Sequence, residues 1–199
     1  MSEHLVALFD ALRDDPFYRK LERCYPDVEG ARDAMLRYYS ISVQEAERFG
    51  RVGRADGVTG LSVWSVPLPP QDAQTKVAAK AQEMEQAMGA ECAALYNDIS
   101  ASMAEQEARL PLDGMWYLSI LGVAPVQQGQ GLGRALLDPV LNEADAAGVA
   151  SYLTTFTPRN IPFYERQGYV QAGTFDEPVT GSAFTVLVRQ PVPAVSGPA

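Results

Sequence analysis

The densest run of chemically useful residues is Gln127-Gln128-Gly129-Gln130-Gly131-Leu132-Gly133-Arg134. Glycine at every second position admits positive φ and lets a ligand approach the backbone closely. A helix starting here would leave its first N–H groups unpartnered, at the positive end of the helix dipole. Such a segment is expected to hold an anion, most commonly a phosphate, and Arg134 would add a charge-assisted bond. The spacing is not a dinucleotide fingerprint, because Arg134 stands where a small residue is needed. Nor is it a P-loop, because no Gly-Lys-Ser/Thr follows. A tight turn without a ligand is the alternative reading.

Other chemistries lack their residues. His4 is the single histidine, which argues against a Ser-His-Asp triad, a Cys-His dyad and a histidine-based metal centre. Cys24 and Cys92 stand alone without CxxC spacing, so no metal site and no disulfide framework is expected. Sixteen Lys and Arg against twenty-five Asp and Glu leave a net charge of −9. That balance disfavours nucleic acid and anionic membrane as partners and suits a small cationic molecule. The start has no basic, apolar leader, and no apolar run approaches the roughly 18–20 residues of a membrane span. A soluble, cytoplasmic protein is expected.

The elements that would position the glycine loop follow from periodicity. Leu5, Leu8, Phe9 and Leu12 mark a first helix that Asp14-Asp15-Pro16 should stop; a second follows Asp27, carries Met35, Leu36, Tyr39 and Val43, and ends near Gly50. Arg51–Ala55 and Val58–Val66 flank Asp56-Gly57, a hairpin signal. Gln71–Leu110 is helical, with Val77, Ala81, Met84, Met88, Cys92, Leu95, Ile99 and Met103 as a core-facing stripe and Gly89 as a break. Met115–Val123 and Ala150–Phe156 read as strands enclosing a helix over Gly131–Ala147. A short helix over Asn160–Gln167 precedes an antiparallel pair, Tyr169–Phe175 and Ala183–Arg189. Helices first and a mixed sheet later predict one α/β (α+β) domain over residues 1–190, with a loose tail over 191–199.

The motifs resemble those of the GNAT superfamily of N-acetyltransferases. The resemblance rests on Leu121-Gly122-Val123-x-Pro125 leading into Gln128-x-x-Gly131-x-Gly133. It also rests on the later block Pro158-Arg159-Asn160-Ile161-Pro162-Phe163-Tyr164-Glu165-Arg166-Gln167-Gly168-Tyr169. Within the superfamily the likeness is to the puromycin N-acetyltransferase-like members, tight from Met115 to Tyr169 and loose over the first seventy residues. These members also carry a proline in the helix after the loop, here Pro139. The resemblance implies a mostly antiparallel mixed sheet flanked by helices, here without the family's usual first strand.

The same resemblance implies acetyl-CoA as cosubstrate and transfer of its acetyl group to a small primary amine in one ternary complex. Its pyrophosphate would lie on Gln128, Gly129, Gln130, Gly131, Leu132, Gly133 and Arg134, and its pantetheine arm would pair with Leu121, Gly122 and Val123. Asn160, Phe163 and Tyr164 would flank the arm, although Asn160 could equally be a helix cap. Tyr164 would protonate the departing thiolate, and the Val123 N–H would hold the carbonyl oxygen. An amine of pKa about 10.4 is neutral in only about one molecule in two thousand at pH 7, so a base must help. The family's glutamate position falls on Tyr117, leaving Glu105, Glu107, Asp113, Asp27, Glu29 or a water chain as candidates. A non-catalytic acyl-CoA sensor and a protein lysine or N-terminal acetyltransferase remain as alternatives, and a homodimer is compatible with all of them.

Overall fold

In the computed structural model, which describes residues 2–193, the chain starts with three helices, α1 (Glu3–Leu12), α2 (Pro16–Glu22) and α3 (Val28–Phe49). The segment Asp14-Asp15-Pro16 does more than stop α1. Asp15 accepts the Phe17 N–H at 3.0 Å and Pro16 occupies the first helical position, so α2 begins there. A proline at that position loses no hydrogen bond, because that N–H has no helical partner. Asp27 caps α3 in the same way through the Gly30 N–H, at 2.7 Å.

Strands β1 (Gly50–Gly53) and β2 (Gly60–Ser65) form the expected antiparallel pair around a turn in which Gly57 takes φ 73°. Helices α4 (Pro70–Met88) and α5 (Ala90–Glu107) follow, broken at Gly89 with φ 79°. Met84, Met88, Cys92, Ile99 and Met103 are buried as the periodicity predicts. Val77 and Ala81 are not; the first half of α4 runs over solvent, and Val77 is 68% exposed. The remaining elements are β3 (Trp116–Val123), α6 (Leu132–Ala146), β4 (Ser151–Thr155), α7 (Ile161–Glu165), β5 (Val170–Glu177) and β6 (Ser182–Arg189).

The six strands are ordered β1-β2-β3-β4-β6-β5, antiparallel throughout except for β3 beside β4. No strand precedes α1 among the described residues. One face packs on α1–α5 through Leu61, Val63, Ile120, Phe184 and Val186; the other packs on α6 and α7 through Trp64, Leu118, Leu153 and Leu187. Pro139 sits inside α6 without ending it. Two turns of buried polar contact fix that helix to the sheet: Trp64 Nε1 donates to Ser62 Oγ at 2.9 Å, and Ser62 Oγ donates to the Leu136 carbonyl at 2.7 Å. The start of the expected loose tail is held, since Asp145 accepts from both terminal nitrogens of the Arg189 guanidinium at 2.7 Å and from the Val192 N–H at 2.8 Å. The rest of that tail, 194–199, lies outside the described residues.

Candidate active site

The site begins with an irregularity in β3. Val63 lies opposite Ile120 and Trp64 opposite Leu118, so Ser119 is an extra residue, a β-bulge, whose Oγ donates to the Val63 carbonyl at 3.0 Å. The bulge changes the alternation: Leu118 faces α6, whereas Ile120, two residues on, faces α1–α5. It also divides the pairing. β3 pairs with β4 only at Trp116–Leu118, yet it stays paired with β2 as far as Val123. The β4-facing edge of residues 119–123 is therefore open.

Which backbone groups point into the opening follows from register. Ala124 donates to the Thr59 carbonyl at 2.8 Å, which makes that opposite pair hydrogen-bonded. Antiparallel pairs alternate, so Gly122 and Ile120 bond to β2, while the N–H and C=O of Leu121 and Val123 turn toward the open edge. Gln128 Nε2 takes the Val123 carbonyl at 3.0 Å, leaving the Val123 N–H and both polar groups of Leu121 for a ligand. Gly122 is turned the other way, and a Cβ on it would lie 2.8 Å from Leu8 Cδ2 of α1. It is a close-packing glycine rather than a strand contact for an arm. His4 also belongs to this register. Its Nδ1 lies 3.1 Å from both N and O of Gly60, serving the outward groups of β2 where β1 has ended.

After β3, Pro125–Gln127 make one 3₁₀ turn and the Gln128 N–H bonds to the Pro125 carbonyl. Gln128 thus orients the strand end and is absent from the N–H cradle expected of it. The N–H groups of residues 129–133 donate to no backbone carbonyl, and Gly129 and Gly131 both take φ 76°. A Cβ on either would meet no protein atom within 4 Å, so the space above them is free for a ligand. Gly133 differs, since a Cβ there would lie 3.0 Å from the Phe163 ring. Phe163 packs against the start of α6 and presses α7 onto it. Leu132 turns its side chain inward toward Val58, Val123 and Leu136, Gln130 folds onto the Val126 carbonyl at 3.4 Å, and exposed Arg134 lies 3.3 Å from Asp138.

Behind the open edge lies a cavity of about 280 Å³. Tyr164, Asn160 and Leu121 border it on the cradle side, and Tyr18, Tyr38 and Tyr96 border it beneath the helices. Tyr164 is buried, its hydroxyl makes no side-chain hydrogen bond among the described residues, and burial pushes its ionisation well up, so it remains a proton donor. Asn160 is in helical conformation and makes no side-chain cap; its amide is left to the cavity.

Of the carboxylates considered from the sequence, only Glu107 lines the cavity. Asp27 is the α3 cap, and Glu29, Glu105 and Asp113 are exposed. Burial raises Glu107 above the usual carboxylate range, and it lies close enough to Tyr117 and Tyr152 to raise those groups. Tyr117 donates to or accepts from Thr154 Oγ1 at 3.1 Å. Asp15 lines the same cavity and is also raised by burial, but its oxygens are engaged by Phe17 N and by Thr157 Oγ1 at 3.1 Å. Sequence reasoning missed Ser42, Glu45, Lys80 and Tyr96, which reach the cavity from α3, α4 and α5. It also missed the Ser119 bulge.

A split mixed sheet, an unpaired strand edge and a glycine N–H cradle at a helix start together make the architecture of the GNAT fold. Residues 65–184 match the profile of the acetyltransferase (GNAT) domain, and the chain belongs to that family. Two solved structures share the fold over nearly the whole chain. One, from Corynebacterium glutamicum, is described as a histone acetyltransferase and related acetyltransferase (TM-score 0.63, 17% identity, 96% of this chain and 91% of the other). The second is arylalkylamine N-acetyltransferase 2 of Aedes aegypti (TM-score 0.59, 12% identity, 96% and 92%). At such identities the likeness is one of fold. In sequence, an uncharacterized N-acetyltransferase of Schizosaccharomyces pombe is 34% identical over 76 residues, 38% of this chain and 29% of that protein's length. Among the described residues no group of side chains could hold a metal, and no helix is long and apolar enough to cross a membrane.

Proposed function

We propose that the chain transfers the acetyl group of acetyl-CoA to the primary amine of a small molecule within one ternary complex. One observation carries this reading: the open edge of β3 leads at one end to the N–H cradle of residues 129–133 and at the other into a cavity roofed by α2, α3 and α5. The cradle suits a pyrophosphate, and the Leu121 N–H and C=O suit an amide-bearing arm laid along the strand. Acetyl-CoA would supply the activated thioester.

The chain's own groups meet the remaining needs. The Val123 N–H, aimed at the edge, stabilises charge on the thioester carbonyl oxygen. Glu107, unpaired and raised by burial, takes the proton that the amine loses, directly or through one water. Tyr164 gives its proton to the departing sulfur. Neither cysteine lines the cavity, which favours direct transfer over an acetylated enzyme. Asp15, Glu45 and Glu107 against Lys80 make the lining acidic on balance, which suits a cationic acceptor. The helical roof favours a small molecule over a peptide.

The test is a panel of primary amines incubated with acetyl-CoA while free thiol and N-acetylated product are followed. Amine-dependent thiol release with matching product supports the reading. Binding of acetyl-CoA without turnover of any amine would instead indicate a sensor, and acetylation confined to peptides would indicate a protein acetyltransferase.

A further inference from the structure

The cavity wall furthest from the cradle is built by α3, and it holds two polar atoms without partners. Ser42 Oγ and Glu45 Oε2 are buried and make no hydrogen bond. The residues lie three apart, on the same face of the helix, and both line the cavity. The Tyr38 hydroxyl lies beside Ser42 but outside hydrogen-bond geometry. The other oxygen of Glu45 is fully used: Lys80 Nζ lies at 3.3 Å and Lys76 Nζ at 3.4 Å, and the glutamate side chain is only 10% exposed. One carboxylate oxygen is thus fixed by two ammonium groups while its twin is buried in the cavity wall without a partner. Leaving such a buried acceptor unmatched is unfavourable, and a ligand donor that met it would relieve that cost.

The position of this pair can be read from the strands. Lys76 Nζ donates to Ser65 Oγ at 3.0 Å, and Ser65 lies opposite Tyr117 in the β2–β3 register. Glu45 therefore sits at the Tyr117 end of β3; with Ser119 bulged out, Tyr117 and Leu121 lie three ladder positions apart, or about 10 Å along a strand. Tyrosine rings line the interval. The two lysines also outweigh the single glutamate charge, so this end of the cavity does not call for a second cation.

We infer that the acceptor is an elongated amine with an apolar body and, at the end remote from the reacting nitrogen, a neutral hydrogen-bond donor such as a hydroxyl, with Ser42 and Glu45 forming the subsite that reads that donor. This rests on the acetyl-transfer reading for the identity of the near end. The subsite also makes the cavity selective, because a ligand without the donor leaves Glu45 Oε2 unmatched.

The experiment uses phenylalkylamines with two-, three- and four-carbon chains and their para-hydroxy counterparts. Binding to the acetyl-CoA-loaded protein is read by thermal shift, and turnover by thiol release. Wild type should favour the hydroxylated member of at least one pair by about tenfold in kcat/KM, chiefly through KM, and should be stabilised more by it. In Glu45→Gln the lysines keep the oxygen and an NH₂ faces the cavity, so the preference should collapse or pass to the para-methoxy analogue. Ser42→Ala should reduce it by a smaller factor. Wild type that treats every pair alike, or a preference that survives in Glu45→Gln with a normal melting temperature, overturns the inference. Turnover without discrimination sinks the subsite and leaves acetyl transfer standing; discrimination in binding without any turnover sinks acetyl transfer and leaves the subsite standing.

Discussion

The two sides of β3 are built from different material. On the cradle side the groups left without backbone partners are themselves backbone: the Leu121 and Val123 edge and the N–H groups of residues 129–133, all within thirteen consecutive residues. On the helical side the cavity-lining groups are side chains from distant segments: Asp15, Ser42, Glu45, Tyr96 and Glu107, brought together by packing. A backbone site is indifferent to most side chains but intolerant of lost glycine; a side-chain site is the reverse. The same fold can therefore keep one substrate fixed while the other varies.

Gly131→Asp should have the largest effect of any single change. It adds a negative charge where an anion belongs and strains a residue at φ 76°. Acetyl-CoA affinity should fall by at least about a hundredfold by calorimetry, while far-ultraviolet circular dichroism stays near wild type. Unchanged affinity would remove the cradle from the site. Next is Tyr164→Phe, which keeps the packing against Phe163 and Tyr169. Single-turnover kinetics should show the chemical step about a hundredfold slower, the low end for acid catalysis, with KM for acetyl-CoA little changed. A slowing of less than threefold would reduce the tyrosine to core packing.

Glu107→Gln sharpens the comparison on the helical side. As a base Glu107 works ionised, so kcat/KM for the amine should fall as pH drops through its pKa, which burial raises above that of an exposed glutamate. The Gln variant should lose about tenfold or more in activity, and this acidic limb with it. Stability should move the opposite way. A carboxyl whose folded pKa exceeds its unfolded value binds its proton more tightly when folded, so the protein gains stability as pH falls through that range. The Gln variant should accordingly melt no lower than wild type at neutral pH. A lower melting temperature with an intact pH profile would make Glu107 a structural residue. The smallest effect is ionic. Capture of a cationic amine by an acidic chain should weaken by a few-fold in kcat/KM between low and physiological salt, and a flat profile would show that the field plays no part.

What was legible beforehand follows the same division. Every strand and the loop–helix junction left local marks, such as Asp56-Gly57, the alternate glycines and the apolar runs. The α6 helix continues through Pro139. Helix α2 was missed because Asp14-Asp15-Pro16 serves as well to start a helix as to stop one, and only tertiary burial of Tyr18 and Leu21 decides which. The Ser119 bulge leaves no mark in a strand whose neighbours are apolar on both sides. Gln128 and Gly122 carry the family pattern but act on the protein itself, on the Val123 carbonyl and on Leu8. The Ser42–Glu45 pair was invisible because neither residue is unusual on an amphipathic helix.

The unpaired margin of β3 has one consequence beyond recognition. A strand border with free donors and acceptors is a template for any passing extended segment, including one from an unfolding neighbour. A cosubstrate lying along that border would act as its guard, and through mass action it would raise the unfolding free energy by about 2.7 kcal/mol at a hundredfold excess over its dissociation constant. When supply of that metabolite falls, the molecule should become both less stable and more prone to self-association. Its persistence in the cell would then track the availability of the substance it consumes.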